Sequence, residues 1–252
     1  TPLRLAADNT STAAWATNAN TAVENGENGL VSASSQAGTY YPHALTTNTD
    51  GSNILVPASY MALRTFAYND QVAFPWFAPA GFQRGVVNNA ASVGYLDAKE
   101  GEYVPVSLNE GQRDGLYLNK VNPIASFPGR GISVFGQKTL QKRASALDRV
   151  NVRRLLIALK KFIASTSRFL VFEQNTAATR NQFLSQVNPY LESVQQRQGL
   201  YAFKVVMDAT NNTPDVIDRN QLIGAIYLQP TKTAEFIYLD FNILPTGATF
   251  PA

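Results

Sequence analysis

The sequence contains no cysteine. That excludes disulfide cross-links, thiolate metal sites and a cysteine nucleophile. It contains one histidine, His43. A Ser-His-Asp arrangement would have to use it, yet it stands beside tyrosines in a strand-like run with nothing nearby to orient its ring. One histidine without cysteine also leaves too few ligands for zinc. No run of 18 apolar residues occurs, so no helical membrane insertion is expected. The opening TPLRLAADN carries neither Met nor a signal-peptide pattern, and the chain is expected to be a fragment of something longer. Charge is scarce too. Only 15% of residues are charged, against about 25% in ordinary soluble domains. A chain poor in charge and rich in Asn, Thr, Ser, Gln and Ala is expected to hide much of its surface inside an assembly.

The charge that is present is unevenly spread. Residues 141–204 hold eleven Lys/Arg against three Asp/Glu, a local charge of +8, within a chain whose total is only +3. The remainder is therefore −5. Such separation suits an acidic partner, or self-association with alternating signs. At the centre lies LDRVNVRRLLIALKKFIASTSRFLVFEQ (147–174). Val152, Leu155, Leu156, Leu159, Phe162 and Ile163 recur at helical spacing and form a buried stripe. Arg153 and Lys160 are seven apart, as are Arg154 and Lys161, so a basic stripe runs along the other side. By charge pattern alone this is a solvated face.

Around this helix the pattern alternates. A strand is expected over 39–46, limited by Pro42 to an edge or a bulge. A helix over 58–69 opens at Pro57. The stretch 74–85 (FPWFAPAGFQRG) reads as a rigid loop with Trp76 and Phe77 turned inward. A helix over 108–119 is expected to start at a capping box of Ser107 and Glu110. Residues 120–131 read as a Pro/Gly loop, then a strand over 132–135. After the central helix, 168–172 reads as a short apolar strand. Asn175 or Thr176 caps a further helix carrying Phe183, Leu184, Val187, Leu191 and Val194, kinked by Pro189 and ended by Gly199. Strands are expected over 201–208, 222–228 and 235–243, the second apolar on both faces and so central. The fold class that follows is α+β: a mostly antiparallel sheet packed with two or more long helices.

Chemistry finds little support. The run 131–139 (GISVFGQKT) misses the phosphate-loop pattern, because Gln137 separates Gly136 from Lys138. Asp208, Asn211 and Asp215 fit no calcium loop. Catalytic, cofactor-binding and metal residues are all expected to be absent. A nucleic-acid-binding module built on the basic helix is a distant alternative, without aromatic residues interleaved on the charged face.

Several motifs nevertheless look familiar. DRVNVRRLLIALKKFI (148–163), NPIASFPGRGISVFGQKTL (122–140) and PWFAPAGFQRG (75–85) resemble signatures of contractile tail sheath proteins. MDATNNTPDVIDRNQLIGAIYLQP (207–230) is especially similar to the sheaths of T4-like bacteriophages. The resemblance spans about 57–245 in the right order. It implies a C-terminal sheath domain over 1–252, with a polar N-terminal segment (1–56), a core (57–230) and a C-terminal strand or arm (231–252).

A sheath subunit is a structural protein of the virion tail, not an enzyme. It is expected to stack as hexameric rings and a helical polymer around a tail tube, and to contract so that the tube crosses the host envelope. Its expected partners are other sheath subunits, the tube protein, and baseplate and tail terminator proteins, with assembly in the host cytoplasm. No nucleic acid or membrane partner is implied. Sheaths of other contractile injection systems are the near alternative. On this reading Arg153, Arg154, Lys160, Lys161, Arg180 and Arg197 are expected at a tube or subunit interface, and Phe236, Ile237, Tyr238, Leu239 and Phe241 in an intersubunit strand.

Overall fold

A computed structural model describes residues 34–97 and 101–237. The strand expected over 39–46 is two strands, β1 (Thr39–Tyr41) and β2 (His43–Thr47), which lie in different sheets. Pro42 stands between them. β1 runs parallel to β6 (Val121–Phe127), with Thr39 opposite Val121 and Tyr41 opposite Pro123. β7 (Gly131–Val134) pairs antiparallel on the other side of β6, Ile124 opposite Val134. β6 is thus central, in a stretch where sequence reading expected a loop. Pro123 misleads because a proline cannot donate to a ladder. Here its carbonyl still serves, accepting from the Phe135 amide at 2.8 Å.

β2 belongs to a four-stranded antiparallel sheet with β3 (Asn53–Val56), β4 (Ser92–Leu96) and β5 (Tyr103–Pro105), in the order β3-β2-β4-β5. At Gly94 a side chain would meet the Val104 carbonyl at 2.2 Å, which is why the crossing of β4 and β5 takes a glycine there.

Helix α1 (Ala58–Val72) covers one face, burying Ala58, Met61 and Ala62 with Tyr40, Ala44, Ile124 and Val134. Leu63, in the middle of this helix, is 64% exposed. A one-turn helix α2 (Gly81–Arg84) follows. Helix α3 (Glu110–Leu118) covers the opposite face through Leu116, with Tyr41, Val121 and Ala125. Alternation along β6 supplies both layers, odd residues to one and Ile124 to the other. The capping box of α3 is Asn109 with Gln112, not Ser107 with Glu110. The box forms two residues later because the Asn109 side-chain Oδ1 accepts the Gln112 amide at 2.9 Å.

The second half of the fold packs on α4 (Val150–Ser167) and α5 (Ala177–Gln196). Leu155 and Leu159 meet Phe183, Val187, Leu191 and Val194. The expected stripe holds, although Phe162 and Ile163 are only half-buried or less. Arg168–Leu170 is a 3-10 turn and not a strand. Phe169 is 81% exposed and Phe172 fully exposed, so the apolar run buries only in part. α5 is capped by Thr176, whose hydroxyl accepts the Thr179 amide. Pro189 lies inside it without ending it. Its left-handed terminal residue is Gln198 (φ 62°). Gly199 is needed for close approach instead, since a Cβ there would sit 2.6 Å from Val194.

β8 (Leu200–Val206) and β9 (Ala225–Pro230) form an antiparallel pair, with the short helix α6 (Pro214–Asp218) in the connection. Among the described residues this sheet has two strands, so β9 is not central as its apolar run suggested. Tyr227 is 62% exposed. A bulge between Leu200 and Ala202 turns Tyr201 outward, away from the face of Phe203 and Val205. Among the described residues the architecture is α+β, with one parallel pair in otherwise antiparallel ladders.

Candidate assembly site: an anchored arm and a basic helix

Two neighbouring loops prepare the site. Asn122, fully buried, donates to the Thr39 and Lys138 carbonyls and accepts the Lys138 amide, which fixes the chain after β7. The segment Gln137–Thr139 then pairs with Asp148–Val150 through two backbone bonds, Thr139 to Asp148 and Val150 to Gln137. This places Arg149, the residue before α4, across from Lys138.

The C-terminal segment crosses this platform. It leaves β9 at Thr231, whose amide and hydroxyl bond the Gly199 and Gln198 carbonyls. Gln137 Nε2 donates to Thr233 Oγ1 at 2.6 Å. Glu235 receives a two-pronged contact from Arg149, Nε to Oε1 at 2.7 Å and Nη2 to Oε2 at 3.0 Å. Gln137 adds a third bond to Oε1 at 3.2 Å. Such a paired contact holds both partners in one geometry. Burial, then the Glu235 charge, drives the Tyr117 phenol far above its usual range, so it stays protonated. Burial, helped by the charges of Lys120 and Arg149, lowers Lys138. Its ammonium lies 3.9 Å from the Tyr117 ring centre and donates to the Tyr117 carbonyl.

Beyond Glu235 the chain turns outward. Phe236 is 64% and Ile237 78% exposed, and neither is in a strand. Tyr238, Leu239 and Phe241 lie outside the described residues.

The six basic positions do not share one surface. Arg154 is half-buried, its Nη2 on both Asp70 oxygens at 2.6 and 2.5 Å and its guanidinium 4.9 Å from the Phe66 ring. Arg153 is half-buried beside it. Lys160 and Lys161 are exposed further along α4 and make no ion pair among the described residues. Arg180 and Arg197 stand near opposite ends of α5, about 26 Å apart at 1.5 Å per residue. Arg180 bonds the Thr176 and Asp208 carbonyls, and Arg197 lies over Phe74.

Sequence reading missed the anchor altogether, because Arg149 and Glu235 are 86 residues apart in the chain. It also missed Trp76 as a stitch. That indole donates to the Arg197 carbonyl at 2.9 Å and stacks on Phe74, and its own carbonyl accepts from Asn151. No grouping of three or more His, Asp or Glu suited to a metal occurs among the described residues. His43 is packed in β2, 6% exposed, and burial lowers its pKa.

Known proteins share this fold. The anti-feeding prophage helical sheath in its contracted state superposes with a TM-score of 0.71 at 25% identity, over 88% of this chain and 59% of that one. The sheath complex of an extracellular contractile injection system, PVC, also contracted, gives 0.68 at 26% identity, over 84% and 57%. The fold is one used by sheath subunits. Residues 143–244 match the family described as the phage tail sheath C-terminal domain. The tail sheath protein of Vibrio phage KVP40 is 41% identical over 184 residues, and that of Enterobacteria phage T4 is 37% identical over 184; each match covers 73% of this chain and 26% of the relative. The chain carries a phage tail sheath C-terminal domain over residues 143–244. It spans about a quarter of the length of the curated relatives it matches.

Proposed function

We propose that this chain is the assembly module of a contractile phage tail sheath, a structural subunit of the virion tail with no enzymatic role. Sheath subunits carrying it stack as hexameric rings into a helical polymer around a tube, meet baseplate and terminator proteins at the ends, and contract to drive the tube through the host envelope. Assembly takes place in the host cytoplasm. The higher identity to phage sheaths than to injection-system sheaths favours the phage setting.

The observation that carries this reading is the anchored arm. Two side chains, Gln137 and Arg149, hold Thr233 and Glu235 to the body, and the chain then presents Phe236 and Ile237 to solvent. Residues 236–241 (FIYLDF) form a nearly continuous apolar run with the composition of a strand, and β8–β9 offers unpaired edges among the described residues. Strand addition through backbone hydrogen bonds suits a contact that persists while subunits rotate. The outward basic face lies on Lys160 and Lys161 for an acidic tube or neighbouring subunit, where a polar contact can form and release. Arg154, Arg180 and Arg197 are partly engaged within the fold and Arg153 is half-buried beside Arg154, so any contact these four make with a tube or subunit is separate from that face.

The test is electron microscopy of the full-length sheath protein. Deletion from Phe236 onward is expected to abolish tubular polymers while circular dichroism shows the body still folded. Tubes that form normally without the arm refute its role. Charge reversal of Lys160 and Lys161 is expected to weaken polymerisation on tubes, and unchanged polymerisation removes the basic face from the interface.

A further inference from the structure

The turn that joins α4 to α5 presents apolar side chains to solvent. Phe169 is 81% exposed, Val171 61% and Phe172 fully. Single exposed apolar residues are ordinary, but three on one turn make a patch. The turn is not loose. The Val171 amide bonds the Arg168 carbonyl, and the Glu173 amide bonds the Leu170 carbonyl. Leu170 packs against the core of α4, α5 and β8. Asn175 donates to the Gln221 carbonyl at 2.8 Å. Phe172 holds a left-handed backbone, φ 71°, which costs a residue other than glycine about 1–3 kcal/mol. The fold thus keeps a costly conformation that leaves an aromatic ring uncovered.

A groove of about 410 Å³ lies between α1 and the first half of α4, toward the opposite end of that helix. Ala62, Phe66 and Val150 line it. So do Leu63 and Ile157, which stay largely exposed although both sit in mid-helix. Clefts that take compact apolar groups measure about 300–1,000 Å³.

The tip and the groove cannot cover each other within one molecule. Ile157 and Ser167 are ten residues apart on one helix, about 15 Å, and Phe172 lies past that end. Two copies can do what one cannot. The chain carries both halves of a contact toward the two ends of α4, so each copy offers its tip to the next and its groove to the one before. A contact between unlike surfaces is heterologous, and its repetition without closure builds a filament. The anti-feeding prophage sheath, which shares this fold, is such a helical assembly. We infer that Phe169 and Phe172 of one copy insert into the α1–α4 groove of a second copy, against Leu63 and Ile157. Aromatic anchors seated in an apolar cleft have the composition of an interface hot spot. The choice of a second copy rests on the sheath reading, and the contact is separate from strand addition by the arm.

The chain has no cysteine, so introduced thiols report single contacts, and a disulfide needs Cα atoms within about 7 Å. Mixed in equal amounts at high concentration, Phe172→Cys and Leu63→Cys chains are expected to form the mixed disulfide at least tenfold faster than Phe172→Cys with Arg130→Cys, whose thiol sits on the exposed β6–β7 turn. A chain carrying both Leu63→Cys and Phe172→Cys is expected to give a ladder of covalent oligomers. Adding Phe169→Ser to the Phe172→Cys chain is expected to slow the mixed reaction at least threefold, with the thermal melt unchanged. Equal rates for Leu63→Cys and Arg130→Cys overturn the inference. A Phe172→Cys homodimer as the main product means tip-to-tip pairing and overturns it, as does an intramolecular disulfide in the double variant. A Phe169→Ser chain that cross-links as fast as its parent refutes the part given to Phe169. Tubes of the full-length sheath protein without the cross-link overturn this contact and keep the sheath reading, and a ladder without tubes does the reverse.

Discussion

Replacing Glu235 by Gln keeps the side-chain volume and removes the charge that the anchor is built on. Arg149 then loses its ion pair, and the bond from Gln137 loses its charged acceptor. Hydrogen bonds to charged groups contribute about 1.5–3 kcal/mol each, while fully exposed ion pairs contribute about 0–1 kcal/mol. The Arg149 and Glu235 side chains are 25% and 16% exposed, between those limits. The arm should therefore open about 2 kcal/mol more easily, which is a factor of about 30 at 1.4 kcal/mol per tenfold. Amide hydrogen exchange over 231–237 reads this directly, because local opening sets the protection there. The exchange of α4 and β6 is expected to stay unchanged. Arg149→Gln should produce a similar increase, and the double variant little more than either single one, as coupled partners require. An increase below threefold in Glu235→Gln, or additive effects in the double variant, would refute the anchor as a cooperative unit.

Other expectations follow from the core. Leu191 is fully buried between α4 and β8, and Leu191→Ala should cost about 3 kcal/mol in urea unfolding, with the cavity term included. Asn122→Ala strands two buried carbonyls and the Lys138 amide, so a loss of about 2–4 kcal/mol is expected in the same assay. His43 has a folded pKa below its unfolded value of about 6.5. The unfolded chain takes up the proton first, so His43 should lower stability as pH falls through about 6.5, and levelling follows below the folded value. Thermal melts of His43→Gln across that window should show a shallower slope than the parent.

The helices were legible because their burial is periodic and local. Leu155, Leu159, Phe183, Val187 and Leu191 are spaced at turns of the helix, and each faces the core as that spacing requires. The sheets were less legible. β6 carries Pro123 and is followed by Pro128 and Gly129, which signal a loop, yet pairing with β1 and β7 outweighs those local preferences. The run Phe169–Phe172 fails in the opposite direction. Its composition reads as a strand, but no ladder among the described residues pairs with it. Charge showed where basic residues concentrate and not which way they point. Arg154 and Lys161 share a helical face in sequence, while Asp70 and Phe66 claim only the first of them. The anchor was not legible at all, since an Arg and a Glu far apart in sequence carry no periodic mark.

The path from the arm into the body has a mechanical consequence. A pull on residue 236 does not fall first on the β8–β9 ladder from which the arm departs. It enters at Glu235 and passes to Arg149, immediately before the first turn of α4. Two residues on, Asn151 holds the Trp76 carbonyl, and the indole of Trp76 holds the last turn of α5. Tension on the arm is thus shared by the two longest helices at their adjoining ends, and the hairpin behind the anchor is left slack.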